Sequence, residues 1–221
     1  MKVELISKTV GVGIYEEINQ EEIVVAIARH GTIKEDNGVL IKYLMSKKHW
    51  SPLQHISFGF KIETRRSISA QIFRHRSLNG QEWSLRYAEP LGFEEIDIRR
   101  EHPTNRQSST DSFNPEITFG NRKTTVRDEY NLLMLYIDDL YNKSIEAGVA
   151  KECARDILPL CTKTTIHITG TLRDLLGFIN VRHTQEAQLE VRLIAEKMAE
   201  ALEKELPDVF SKIDWRGGLF M

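Results

Sequence analysis

Hydrophobic and polar residues alternate most strictly between residues 56 and 63. Isoleucine or phenylalanine takes every second position there, so this stretch predicts a strand with one buried face. Weaker alternation over residues 2–6 predicts an edge strand. Residues 162–169 are rich in β-branched side chains and predict a further strand. Its buried face would carry Thr164, Ile166 and Ile168.

Apolar residues at three- and four-residue spacing predict amphipathic helices in most other stretches. The predicted helices cover residues 21–29, a stretch that starts at Asn37-Gly38, and residues 126–147, 152–158, 172–181 and 186–206. Strands and helices mix without regular βαβ alternation, so the pattern favours an α+β fold.

Two stretches show no regular period. Residues 90–124 contain a polar run and predict a long flexible loop, which is either a cover for a ligand or a disordered insertion. The tail from Trp215 to Met221 predicts no clear element.

The densest polar chemistry lies over residues 71–87, where three arginines and a histidine accompany a single carboxylate, Glu82. Arginine forks match phosphate groups and the edges of heterocycles, so the segment predicts an acceptor-rich, anionic ligand. A helix that continues to about Arg76 would place Gln71 and His75 on adjoining helical positions.

A turn at Asn79-Gly80 would then lead into an extended segment. Alternate residues of an extended chain point to the same side, which would bring Glu82, Ser84 and Arg86 together. The opposite side, which we expect to face the core, carries Trp83, Leu85 and Tyr87.

Composition limits the class of protein. A chain of 221 residues suits one large domain or two closely merged ones. The hydrophobic fraction of 41% and the net charge of −2 are typical of a soluble globular protein and give no overall attraction to nucleic acid or anionic membrane. Positive charge is local, since five arginines lie from Arg65 to Arg86. We expect the pair Arg65-Arg66 to be a solvated surface.

Other classes of site and location are disfavoured. No apolar run approaches the ~20 residues of a membrane span, and the first residues do not resemble a signal peptide. Cys153 and Cys161 do not make a disulfide framework and fit a reducing cytoplasm. His49 and His55 lack a nearby carboxylate cluster, so we expect no metal site.

The arginine-rich segment resembles the signature of the flavin-dependent thymidylate synthases (the ThyX family). Arg74-His75-Arg76 is followed by seven residues and then Ser84, as in the family motif R-H-R-x7-S. Leu85-Arg86-Tyr87 and the later Ala154-Arg155, followed by Leu158-Pro159, are also similar to the family. The resemblance covers most of the chain and is weakest in the predicted loop.

This resemblance implies an activity and an assembly. The expected reaction is reductive methylation of deoxyuridylate (dUMP) to thymidylate (dTMP), with 5,10-methylenetetrahydrofolate as carbon donor and release of tetrahydrofolate. NADPH would reduce bound FAD, which carries the difficult chemistry. The implied fold is a single domain over residues 1–221 with a mixed, mainly antiparallel sheet flanked by helices. The implied assembly is a cytoplasmic homotetramer with shared active sites.

The resemblance also assigns residues. The implied flavin contacts are Ser51, Gln54, Arg74, His75, Arg76, Glu82, Thr171, Leu172 and Arg173, of which Ser51 and Gln54 would act across a subunit boundary. The implied substrate contacts are Gln71, Arg74, Glu82, Ser84, Leu85, Arg86, Arg155 and Arg182. Arg182 would be catalytic, because a permanently charged guanidinium favours ionisation of the uracil ring at N3. Three departures from the family pattern, at residues 79–81, Gly177 and Glu186, affect the expected flavin contacts.

Two alternatives stay open at this point. A nucleic-acid-binding module would use residues 65–87, with Trp83 and Tyr87 as stacking platforms. The near-neutral net charge and the presence of Glu82 among the arginines count against it. A flavin enzyme that acts on another nucleotide is also compatible, because arginine forks do not distinguish between bases.

Overall fold

The fold is α+β, as the mixture of strand-like and helix-like hydrophobic periods in the sequence predicts. The computed structural model describes residues 1–32 and 37–217. The strands are β1 Lys2–Lys8, β2 Ser57–Arg65, β3 Asn79–Glu82, β4 Arg99–Glu101, β5 Ser109–Ser112, β6 Glu116–Phe119, β7 Arg122–Thr125 and β8 Lys163–Thr171. The α-helices are α1 Gln20–Ala28, α2 Asn37–Ser46, α3 Arg66–Ile72, α4 Val126–Glu146, α5 Lys151–Ala154, α6 Leu172–Arg182, α7 Leu189–Glu205 and α8 Pro207–Phe210. Short 3-10 helices occupy Gly13–Tyr15, Ser51–His55, Arg155–Ile157 and Trp215–Gly217.

One four-stranded sheet has the order β1-β2-β8-β3, so β1 is an edge strand as predicted. β1 pairs antiparallel with β2, and the register shifts between Leu5 and Ser7, where Ile6 makes a β-bulge. The alternation of hydrophobic and polar residues predicted the buried positions of β2 and β8 correctly. Phe58, Phe60, Ile62, Thr164, Ile166 and Ile168 are each at most 1% exposed.

Contacts divide the chain into two compact units. The first unit comprises Met1–Glu63, Gln71–Gln81 and the chain from Ile166 onward. Its buried helical residues include Val24, Val25, Leu175, Leu176, Ile194 and Met198. Capping boxes fix the N-termini of α1, through Asn19 and Glu22, and of α6, through Thr171 and Asp174.

The second unit comprises Thr64–Ala70 and Glu82–Thr165 and contains the long helix α4. The helix begins and ends within one residue of the prediction. The Thr125 side chain accepts a hydrogen bond from the Asp128 N–H at its N-terminus. Gly148 follows its C-terminal end with a positive φ of 89°, as expected of a glycine cap.

Residues 90–124 contain two antiparallel hairpins, β4–β5 and β6–β7, so the prediction of a stretch without internal structure is wrong. Most side chains of these strands are exposed or only half-buried. No buried face imposes an alternation of hydrophobic and polar residues, which is why the strands leave no period in the sequence. The flexibility of the segment stays a prediction.

The C-terminal part also differs from expectation. α7 begins at Leu189, three residues later than predicted, because residues 183–188 connect it to α6 as a loop. Trp215 lies in a 3-10 helix and is 1% exposed, although the tail predicted no element. The rest of that tail, residues 218–221, lies outside the described residues.

Candidate functional site

The family-like motif begins where α3 ends. α3 ends at Ile72, so the prediction of a helix to about Arg76 is wrong. The His75 N–H instead donates to the Ile72 carbonyl in a turn. A Cβ at Gly80 would clash with a ring carbon of Phe73, so the ring would have to shift if another residue stood at this position. The turn leaves the side chains of Arg74 and Arg76 exposed.

His75 lies half-buried against α6. Its ring meets the edge of Phe178, with the centroids 5.5 Å apart and the planes at 88°. Burial, and after it the positive charge of Arg182, lowers the pKa of the imidazole, while contacts with Asp174 oppose this shift. The geometry therefore favours neutral His75 near pH 7.

We expect this lowered pKa to depend on Arg182. In Arg182→Met the cation is gone, so the pKa of His75 should rise toward its ordinary value of about 6.5. Two-dimensional NMR of the imidazole across a pH series measures this. Because the folded-state pKa is depressed, His75 costs the fold nothing above about pH 6.5, and stability is lost as the pH falls through the folded-state pKa. A pKa that does not move in the variant would refute the coupling.

Arg182 and Gln71 are joined in the first unit. An η-nitrogen of Arg182, which ends α6, donates to the backbone carbonyl of Gln71 at 3.3 Å. The Gln71 side-chain nitrogen donates to the Gln188 side-chain oxygen at 2.6 Å. The Arg182 Nε is buried and has no hydrogen-bond partner among the residues that the structure describes. Gln188 was not recognised in the sequence, because no motif or period marks it.

The other predicted flavin contacts of this unit differ in exposure. Ser51 and Gln54 are exposed on the 3-10 helix Ser51–His55, and Arg173 is exposed near the start of α6. The Thr171 hydroxyl caps α6 together with Asp174. The Leu172 side chain is fully buried, and its N–H donates to the Ile56 carbonyl.

Glu82 is the centre of a hydrogen-bond cluster in the second unit. Its two carboxylate oxygens accept from Arg66 at 3.1 Å, from the Ser69 hydroxyl at 2.6 Å and from the Thr164 hydroxyl at 3.0 Å. Arg66 also donates to the Trp83 carbonyl at 2.6 Å. The Glu82 carboxylate is thus fixed in position by groups that the sequence motif does not contain.

The prediction of a solvated Arg65-Arg66 pair is wrong. The Arg65 side chain is 8% exposed and pairs with Glu94 at 3.1 Å, while Arg66 pairs with Glu82. Both arginines hold carboxylates of their own unit, so they are structural ion pairs. They do not form an open basic surface.

The segment after Glu82 is a turn and not an extended strand. β3 ends at Glu82, and the Ala88 N–H donates to the Ser84 carbonyl at 3.0 Å. The expectation that Glu82, Ser84 and Arg86 share one side of a strand is therefore wrong. Of the three residues expected to face the core, Leu85 is buried, whereas Trp83 and Tyr87 are 40% and 74% exposed.

Arg86 and Arg155 converge on Glu152 at the start of α5. An η-nitrogen of Arg86 donates to the Glu152 carboxylate at 3.2 Å. The Arg155 Nε donates to the Glu152 backbone carbonyl at 3.2 Å. The second unit thus brings together two predicted anion-binding arginines that are far apart in the sequence.

Other chemistry is limited in the part of the chain that the structure describes. It contains no group of three or more histidine, cysteine or acidic residues that could hold a metal ion. None of its helices combines the length and the apolarity that a membrane span requires. Cys153 and Cys161 are free, and burial raises the pKa of the Cys161 thiol, which lowers its reactivity.

Comparison with known proteins identifies relatives over nearly the whole chain. The family model described as thymidylate synthase complementing protein matches residues 13–208. A probable flavin-dependent thymidylate synthase of Paramecium bursaria Chlorella virus 1 is 36% identical over 222 residues, which cover 97% of this chain and 100% of that protein. The flavin-dependent thymidylate synthase of a Synechocystis strain is 32% identical and covers 90% of this chain and 92% of its own. That of Thermosipho melanesiensis is 32% identical, with 81% and 79% covered.

Proposed function

Because the chain belongs to the thymidylate synthase complementing protein family, that of the flavin-dependent thymidylate synthases, we propose that it converts dUMP to dTMP with FAD as cofactor. The family match over residues 13–208 carries this conclusion. The protein is thus a methyl-forming transferase that uses a nucleotide and a folate as substrates. No observation favours the nucleic-acid-binding alternative.

The residues of the first unit fit a flavin. A Cβ at Gly177 would have only the His75 Nε2 within reach, at 4.0 Å, so there is open space beside a neutral imidazole. Arg74, Arg76 and Arg173 are exposed cations that suit the phosphates of a dinucleotide. The proposed flavin contacts remain Ser51, Gln54, Arg74, His75, Arg76, Glu82, Thr171, Leu172 and Arg173, with Leu172 restricted to its backbone.

The proposed dUMP contacts separate by chemistry. Arg86 and Arg155 suit the phosphate, because the planar guanidinium group matches the geometry of phosphate. Both arginines contact Glu152. Binding of a phosphate would replace the exposed ion pair between Arg86 and Glu152, which holds the arginine only weakly. The remaining proposed contacts are Gln71, Arg74, Glu82, Ser84, Leu85 and Arg182.

Arg182 acts on the pyrimidine ring in this proposal. The Gln71 carbonyl holds one η-nitrogen of Arg182, and the guanidinium has further N–H groups that can donate to a ring acceptor. A guanidinium in a partly buried site stabilises negative charge as it develops on the ring, and it cannot lose its own proton. FAD, when bound and reduced by the nicotinamide, would supply the hydride that completes the methyl group.

Finer properties belong to the same proposal. We infer NADPH as the reductant, 5,10-methylenetetrahydrofolate as the carbon donor and a cytoplasmic location, the last being supported by two free cysteines. Rate measurements with NADPH and NADH in parallel test the choice of reductant. We also infer that the protein does not bind nucleic acid, because its net charge is −2 and Glu82 neutralises Arg66.

A homotetramer with shared active sites is also proposed, and α4 supports it. Leu133, Leu135 and Tyr136 are 50%, 70% and 65% exposed on this helix. Large apolar side chains exposed together on one helix are typical of an association surface. Light scattering should show about four times the chain mass of 25.5 kDa.

The visible absorption spectrum of the purified protein, recorded before and after addition of dUMP, tests the proposed function. We expect oxidised-flavin bands that dUMP perturbs, because both ligands would occupy one site. Deoxyuridine, which differs from dUMP by the phosphate alone, is the control and should perturb the bands far less at equal concentration. A colourless protein that also fails to take up added FAD would contradict the proposal.

A further inference from the structure

Gln188 contacts Gln71, a proposed dUMP contact, although neither a motif nor a hydrophobic period marks it. We infer that Gln188 is a positioning residue, which fixes the Gln71 amide so that its carbonyl oxygen is presented to the nucleotide. The inference rests on the proposed function, since it takes dUMP as the ligand of Gln71.

A hydrogen-bonded chain of side chains connects the start of α7 to the end of α3. The Gln188 nitrogen Nε2 donates to Oε2 of Glu190 at 2.9 Å. The Gln188 oxygen Oε1 accepts from Nε2 of Gln71 at 2.6 Å. The backbone carbonyl of Gln71 accepts from Arg182 at 3.3 Å, so the residue is held through both its side chain and its backbone.

The carboxylate at one end of this chain sets the direction of every bond. An ionised carboxylate only accepts hydrogen bonds, so Gln188 must turn its NH2 group toward Glu190. The Gln188 carbonyl oxygen then faces Gln71, so the side-chain NH2 group of Gln71 must donate to it. The Gln71 amide is therefore not free to flip, and its Oε1 remains available as an acceptor for a ligand.

The position of Gln188 in the fold supports this role. Gln188 is the N-cap residue of α7, yet its side chain caps no backbone N–H of the helix. Asparagine, aspartate or serine would satisfy that position better, because a short polar side chain reaches back to the first turn. The longer glutamine side chain extends to Gln71 instead, so a helix cap is given up for a contact to the proposed substrate site.

The test compares three variants with the wild-type holoprotein. Gln188→Met keeps the side-chain volume but removes both hydrogen bonds. Gln188→Asn keeps an amide that is too short to reach Gln71 but suits an N-cap. Gln185→Met is the matched control. Gln185 is exposed in the same connecting loop, and the substitution is the same glutamine-to-methionine change. Flavin absorbance gives FAD retention, titration of its dUMP-induced change gives the Kd for dUMP, and thermal unfolding gives stability.

We expect Gln188→Met and Gln188→Asn to weaken dUMP binding about five- to twenty-fold, the effect of one misplaced polar partner, with FAD retained. Gln188→Asn should melt no lower than the wild type, which a merely structural role would not produce. In steady state the KM for dUMP should rise more than kcat falls. Gln185→Met should match the wild type in all of these measurements.

A double-mutant cycle completes the test. Because Gln188 acts through Gln71, adding Gln188→Met to Gln71→Met should cause no further loss of dUMP affinity. Additive losses, or an unchanged Kd in both Gln188 variants, would overturn the inference. If the wild-type holoprotein itself does not bind dUMP, the proposed function fails instead, so the two failures are distinguishable.

Discussion

Arg182→Ala is expected to lose dTMP formation by about 10²–10³-fold while the purified protein still carries FAD. Arg182 is the last residue of α6, and its guanidinium is half-buried beside Gln71 and His75. Removing a preorganised cation at the pyrimidine ring takes away charge stabilisation that water cannot replace in a partly buried site. The loss should appear in kcat more than in the KM for dUMP, since the interaction strengthens as charge develops.

Two further variants make this prediction specific. Arg182→Lys keeps the charge but not the planar fork, and it should recover only a small part of the rate. Lys197→Ala removes an exposed cation from α7 and should leave turnover unchanged. Normal turnover in Arg182→Ala would exclude the catalytic role. Joint loss of FAD and activity would instead assign Arg182 to cofactor retention.

Glu82→Ala should destabilise the fold by about 2–4 kcal/mol in free energy of unfolding. The substitution removes the acceptor for Arg66, Ser69 and Thr164 at once. It leaves a poorly solvated guanidinium whose Nε already has no hydrogen-bond partner among the described residues. Removing one partner of a partly buried ion pair costs more free energy of unfolding than the intact pair contributes, because the other charge loses its partner.

Glu203→Ala is the matched control for that measurement. Glu203 also pairs with an arginine, Arg216, through two hydrogen bonds, but this pair lies at the surface with side chains 37% and 59% exposed. An exposed pair of this kind contributes little to stability, because water and salt screen the attraction between its charges. Urea unfolding of both variants at one protein concentration gives the comparison. If both variants lose the same free energy of unfolding, the cluster around Glu82 stabilises the fold no more than a surface ion pair does.

Local patterns in the sequence predicted the regular core well. β2, β8, α4 and α6 appear where periods of two or of three to four residues predict them. In β2, β8 and α6 these periods are reliable because each element buries apolar side chains, and burial imposes its own spacing on the residues that form it. Linear spacing also identified the family, since the motif from Arg74 to Ser84 is contiguous in the chain.

Where hydrophobic burial does not dominate, prediction failed. The strands over residues 99–125 are largely exposed and leave no alternation. α3 ends at Ile72 although the apolar spacing permits a longer helix, and after the turn that follows, Gly80 lies close to the Phe73 ring. The hydrophobic period contains no information about such an approach.

The sequence by itself therefore determined the main strands and helices, the family and the set of residues that carry the proposed chemistry. Only the tertiary structure decided which groups hold those residues in place. Glu82 is held by Arg66, Ser69 and Thr164, and Gln71 is bonded to Gln188 across a separation of 117 residues. A hydrogen bond depends on distance and direction in space, and polar residues at such separations share no period that reveals their pairing.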